Sequence, residues 1–113
     1  MARKRDRLEE SGCFPMASVA VASTPADGLV ARALRAERKR DPRKAVVLAR
    51  QACALDEWSA RTWTRVGALL GRLGHGDEAL RALRHARWLR VRAGETGRVR
   101  STEGLIRQLS VAA

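Results

Sequence analysis

The chain has 113 residues, with 23 Lys+Arg against 12 Asp+Glu and a formal net charge of +11, which fits one small domain that attracts acidic proteins or polyanions. Ala, Leu and Arg dominate while β-branched and aromatic residues are few, so the composition favours helices and excludes a sheet-based fold. No apolar run approaches the ~18 residues of a membrane span, and the two cysteines, Cys13 and Cys53, are too few and too far apart for a disulfide framework or a zinc site, which points to a reducing, cytoplasmic setting.

Residues 1–25 are predicted to be a disordered tail. Basic residues among 2–7 precede a mildly apolar stretch in the manner of a signal peptide, but Asp6, Glu9, Glu10, Pro15 and Ser18 break that pattern. Met16, followed by Ala17 and Ser18, offers a second start codon. From Ala26 onward helical spacing sets in, with Asp27 as the expected cap and Leu29, Ala33, Ala36 and Arg40 behind it. Asp41-Pro42 stops this helix and starts the next, the aspartate as N-cap and the proline at the first helical position, where its missing N–H costs nothing. The second helix runs to about Leu55 and is apolar nearly all round, so it needs cover on more than one side.

Ser59 is the expected cap of the third helix, whose Trp63, Val66, Leu69, Leu70 and Leu73 share a face. A Gly74-His75-Gly76 turn follows. Asp77 is the expected cap of the fourth helix, with Ala79, Leu80, Ala82, Leu83, Ala86 and Leu89 facing inward as far as Ala93-Gly94. A last helix, 97–110, places Val99, Thr102, Leu105, Ile106 and Leu109 in one arc.

Ala45, Ala49 and Ala52 recur as Ala79, Leu83 and Ala86, 34 residues further on. That period in helix hairpins is the tetratricopeptide one. Residues 60–93 carry Trp63, Val66-Gly67, Leu70, Gly74, Ala79, Leu83 and Ala86, which resembles the family pattern W-x2-L-G-x2-Y…A-x3-F…A. Residues 26–59 are a degenerate copy, with Leu29, Arg32-Ala33 and Ala36 in the first-helix places, and Glu57 and Val91 stand where a closing proline is expected. The resemblance implies an all-α fold, a short α-solenoid of two hairpins (26–59 and 60–93) closed by a capping helix at 97–110. Two repeats expose much of their core, and the amphipathic last helix answers that need.

No catalytic constellation appears. His75 and His85 have no partner at a motif spacing and read as ordinary surface histidines, and Gly74-His75-Gly76 lacks the strand and the Lys-Ser/Thr of a phosphate loop. An enzyme, a metal site and a cofactor are therefore not expected. Two arginine stripes stand out instead. Arg61, Arg65 and Arg72 share one face of the third helix. The family resemblance places that face in a concave groove beside Arg38, Leu34 and Ala68, where an acidic or amphipathic protein segment would lie. Val30, Leu34, Thr64 and Ala68 occupy the positions that carry Lys and Asn in relatives clamping chaperone tails, so that activity is not expected. Arg81, Arg84, Trp88 and Arg92 form the second stripe, suited to phosphates and base stacking. The expected function is a non-catalytic protein-interaction scaffold, with a nucleic-acid-associated protein as the alternative and an adaptor within a larger helical assembly as a third reading.

Overall fold

A computed structural model describes residues 24–112, and all of the regular structure in them is helical. Five helices follow in order: α1 Pro25–Arg38, α2 Pro42–Leu55, α3 Ala60–Arg72, α4 Gly76–Arg92 and α5 Thr96–Ala112. The expected tail, apart from Thr24 and Pro25, lies outside the described residues, as do Cys13 and Met16.

Local chemistry sets the boundaries. Asp41 caps α2 by accepting the Lys44 amide at 3.2 Å, and Ser59 caps α3 by accepting the Thr62 amide at 3.2 Å. Two expected caps are displaced. Thr24, not Asp27, caps α1: its hydroxyl accepts the Asp27 amide at 3.1 Å and Pro25 takes the first helical position. His75, not Asp77, stands at the α4 N-cap and makes no side-chain cap bond there, while Asp77 and Glu78 fill the first turn, where the helix dipole favours negative charge. The tight exit from α3 leaves room for only one residue after Gly74.

Three of the turns share one geometry. Arg40, Gly74 and Gly94 adopt φ of 61°, 86° and 73°. In each, the next amide bonds a carbonyl five residues back: Asp41 to Ala36, His75 to Leu70 and Glu95 to Arg90. This is the Schellman arrangement, which satisfies carbonyls left open at a helix end. Arg40 and Gly74 lie 34 residues apart, so the repeat extends to a turn that composition hides.

α1 packs on α2 and α3 on α4 as two hairpins; α2 also meets α3, α4 meets α5, and α1 and α5 flank α3. The odd helices form one layer and the even helices the other. Each repeat-related pair lies in the core between them: Ala45 and Ala79, Ala49 and Leu83, and Ala52 and Ala86 are all 0% exposed. Gly67 marks the closest approach of α3 to α4, since a Cβ there would lie 2.7 Å from Leu83 Cγ and 3.3 Å from the Ala79 carbonyl oxygen. The chain is thus all-α, two hairpins with a C-terminal helix laid over the second. No helix among the described residues is long and apolar enough to cross a membrane.

Candidate functional site

The arginines of the expected groove are engaged with acids of α1. Arg65 Nη1 lies 3.3 Å and Arg61 Nη1 3.7 Å from the Asp27 carboxylate. Arg72 donates from Nε at 2.9 Å and from Nη2 at 3.0 Å to the two oxygens of Glu37. This fork holds the Glu37 carboxyl below its ordinary value, through the Arg72 hydrogen bond against an opposing effect of burial, with Arg38 adding to the pull. Arg72 is raised in turn by Glu37. Arg61, Arg65 and Arg72 therefore clip α3 to α1. Arg38 is exposed at the end of α1, and Leu34 and Ala68 are half-buried on the same pair of helices.

The second stripe has a different setting. Arg81, Arg84, Trp88 and Arg92 are all exposed on one side of α4, opposite its buried Ala79, Ala82, Leu83 and Ala86. Among the described residues no carboxylate forms a salt bridge with Arg81, Arg84 or Arg92. Trp58, from the α2–α3 connection, lies beside Trp88 with ring centroids 6.3 Å apart. Arg92 places its guanidinium carbon 4.8 Å from the centre of the Trp88 ring, within cation–π range. His85 stacks on Trp88 at 5.8 Å and meets Trp63 edge-on at 4.6 Å. Trp63 Nε1 donates to the Glu57 carbonyl at 2.8 Å, and His85 Nε2 lies 3.2 Å from the same oxygen.

This aromatic chain borders a cleft of about 600 Å³ between α2 and α4, with α3 as its floor. The cleft exists because α2 and α4 make no close backbone approach. Cys53, Val66, Leu70 and Ala82 supply apolar lining, and Arg81 stands at the rim. Arg50 spans the opening: its Nε and Nη2 each donate to Glu78 at 2.8 Å. The Arg50 hydrogen bond holds the Glu78 carboxyl below its ordinary value against the effect of burial, and His75 and Arg81 pull in the same direction. Burial pushes the Cys53 thiol up to about 12, with Glu78 adding to the shift, so at neutral pH it is a protonated core residue and no nucleophile.

A third charged surface lies at the α1–α2 turn. Exposed Arg32, Arg35, Lys39 and Lys44, with Asp41, surround a shallow hollow of about 240 Å³.

His85 departs from the expected surface histidine: it is half-buried between two tryptophans. The spacing of His85 and Trp88, three residues apart on one helix face, is the sequence signal that could have found this cluster. Glu57 takes part through its backbone carbonyl, which no side-chain pattern reveals. Among the described residues no group of three or more metal-ligating side chains converges. No protein-family model, curated protein or solved structure matches the chain.

Proposed function

We propose that this chain is a non-catalytic docking module of tetratricopeptide type, acting in the cytoplasm, that holds an acidic or amphipathic segment of a protein partner. The surface proposed for the contact is the α4 stripe with Trp58 and the adjoining cleft. One observation carries this choice: Trp58 is 72% exposed and Trp88 44% exposed, side by side, amid arginines with no carboxylate bridge among the described residues. Tryptophan and arginine dominate the energetics of protein interfaces, and adjoining exposed tryptophans mark such a site more sharply than scattered apolar residues. An apolar side chain of the partner would enter the cleft, and its carboxylates would meet Arg81 and Arg84 at the rim. The α1–α3 groove is the weaker candidate, because Arg61, Arg65 and Arg72 already have acidic partners. The 34-residue period and the paired hairpins support the tetratricopeptide assignment, and the free, buried Cys53 agrees with a reducing compartment.

A second reading, a single-stranded nucleic acid on the same face, is favoured by the open Trp58 ring, on which a base could stack. Affinity capture from native lysate with and without nuclease, read by mass spectrometry, separates the two. The protein reading requires a partner retained after nuclease. It also requires that Trp58→Ala with Arg84→Glu removes that partner and leaves the melting temperature unchanged. Retention by this double variant, or loss only on nuclease treatment, rejects it.

A further inference from the structure

The densest charge on the chain sits where α1 turns into α2. Residues 32–44 hold seven basic residues against two acidic ones. All seven are exposed, and among the described residues none of them forms a salt bridge. Both acids are already engaged: Glu37 in its fork with Arg72, and Asp41 as the cap that accepts the Lys44 amide. Four of the cations gather round one hollow. Arg32, Arg35 and Lys39 follow at i, i+3 and i+7 on one face of α1, and Lys44 comes from the first turn of α2. They border the hollow of about 240 Å³ together with Asp41, one carboxylate against four cations. Arg40, beside them, takes the left-handed place that Gly74 and Gly94 fill in the two sister turns. Glycine fits that conformation at no steric cost, so the arginine adds a cation where the fold alone favours glycine.

The surroundings narrow the ligand. The one apolar residue lining the hollow is Ala36, itself buried. Neither α1 nor α2 contains an aromatic residue, and α1 exposes no large hydrophobic side chain. A protein partner is gripped through aromatic anchors in pockets, and the hollow has none. A membrane surface is held by charge together with inserted apolar groups, which this face of α1 does not offer. A single strand is held by bases stacked on aromatic rings, and the tryptophans lie elsewhere. Phosphates whose bases stay stacked inside a duplex need only cations and donors. The spacing agrees. Arg32 to Lys39 spans about 10 Å at 1.5 Å per residue, the axial rise of about three phosphates of one strand.

We propose that the α1–α2 turn is a docking surface for double-stranded nucleic acid, held through its phosphate backbone by Arg32, Arg35, Lys39 and Lys44 without reading of sequence. Arginine forks and lysine ammonium groups both pair with phosphate oxygens, and each contact releases counterions from the duplex. The surface lies at the start of α2, whereas Trp58 follows its end, about 21 Å away along a helix of 14 residues. One molecule can therefore hold a duplex at one end and a protein segment at the other. The inference does not depend on the tryptophan corner.

The test measures fluorescence anisotropy of labelled duplex DNA, in two unrelated sequences, with the full chain between about 50 and 200 mM salt. Both duplexes should bind alike, with log K falling against log salt at a slope of about −3.6, four phosphates at ~0.9 each. Arg32→Gln with Arg35→Gln and Lys39→Gln should bring the slope to about −1 and weaken low-salt binding by roughly tenfold or more. Glutamine is a good helix former, so the melting curve should stay in place. Arg98→Gln with Arg100→Gln and Arg107→Gln, exposed on α5, removes the same charge and should change affinity by less than about threefold. Two of the chain's three lysines, Lys39 and Lys44, border the hollow, so acetylation read by mass spectrometry is a second measure that needs no variant. Duplex should shield both. Lysines left unshielded, or equal losses from the two triple variants, overturn the proposal. Vesicles of phosphatidylcholine with phosphatidylserine that shield the lysines as well as duplex does, at equal phosphate concentration, would assign the surface to a membrane. Tighter binding of a single strand, lost with Trp58→Ala, would move the nucleic acid to the other end of the molecule.

Discussion

Replacing Gly67 by alanine sets two opposing effects of known size against each other. Alanine within a helix is favoured over glycine by about 0.8–1.0 kcal/mol, so by local propensity alone α3 would be strengthened. The new Cβ, however, would stand 2.7 Å from Leu83 Cγ, 2.8 Å from Leu83 Cδ2 and 3.3 Å from the Ala79 carbonyl oxygen. Comfortable carbon–carbon contact begins near ~3.5 Å, so Leu83 must retreat by nearly ~1 Å. Leu83 is 0% exposed, and the Ala79 contact is with backbone, which no side-chain rotation can move away. Overpacking of this kind costs about 1–3 kcal/mol, which exceeds the propensity gain over most of its range. The expected result is a net loss of about 1 kcal/mol, within a span of about 0–2 kcal/mol, and a melting temperature lower by roughly 4–8 °C per kcal/mol, read by circular dichroism. Gly28→Ala is the matched control: nothing lies within 4 Å of its added Cβ, so it should melt at or above the parent. If Gly67→Ala melts as high as Gly28→Ala, the close approach of α3 and α4 at this residue is wrong.

Gly74→Ala and Arg40→Gly should move stability in opposite directions. The first forces a β-carbon onto φ of 86° and costs about 1–2 kcal/mol; the second relieves φ of 61° and returns less, because glycine also loosens the unfolded chain. Cys53, with its thiol at about 12, should resist iodoacetamide at pH 8 in the native protein and react readily in guanidinium, and peptide mapping that finds it alkylated equally in both would remove it from the core. Glu37 and Glu78 are held below their ordinary value of 4.5, so their bridges contribute fully above that pH and are lost as pH falls through the lowered values. Glu37→Gln with Glu78→Gln should therefore flatten the acid limb of the stability curve between about pH 5 and 2, and an unchanged limb would mean the two bridges contribute nothing. Arg61→Glu with Arg65→Glu should lower the melting temperature by setting three carboxylates together at Asp27, and an unchanged melt would show that this corner does not hold α1 to α3.

The helices, the two hairpins and the buried alanines follow from periodicity, because period and capping are local properties that sequence records directly. Ala45 and Ala79 needed no structure to be matched, nor did Asp41 and Ser59 as caps. What stayed hidden depends on how helices cross. Glu78 meets Arg50 across 28 residues and Glu37 meets Arg72 across 35, and each acid had several arginines within plausible reach. The outward projection of Arg61, Arg65 and Arg72 was legible, but the acids waiting for them on α1 were not. Arg90 is the sharpest case. Between Leu89 and Val91 in an arginine-rich run it looks solvated, and only the docking of α5 encloses it. His75 became a cap because the Schellman turn at Gly74 consumed the residues that would have let Asp77 take that place.

The cationic hollow between α1 and α2 bears on self-association. Repeat arrays lengthen when the apolar flank of one molecule's terminal hairpin finds the flank of the next. Here exposed Arg32, Arg35, Lys39 and Lys44, with Asp41, crowd the turn end of the first hairpin. Two molecules meeting head to head through it would confront eight positive charges, and a head-to-tail contact would set these four against exposed Arg100 and Arg107 of α5. Like charge would oppose either contact at low ionic strength, and that opposition would weaken once salt shortens the screening length below ~10 Å.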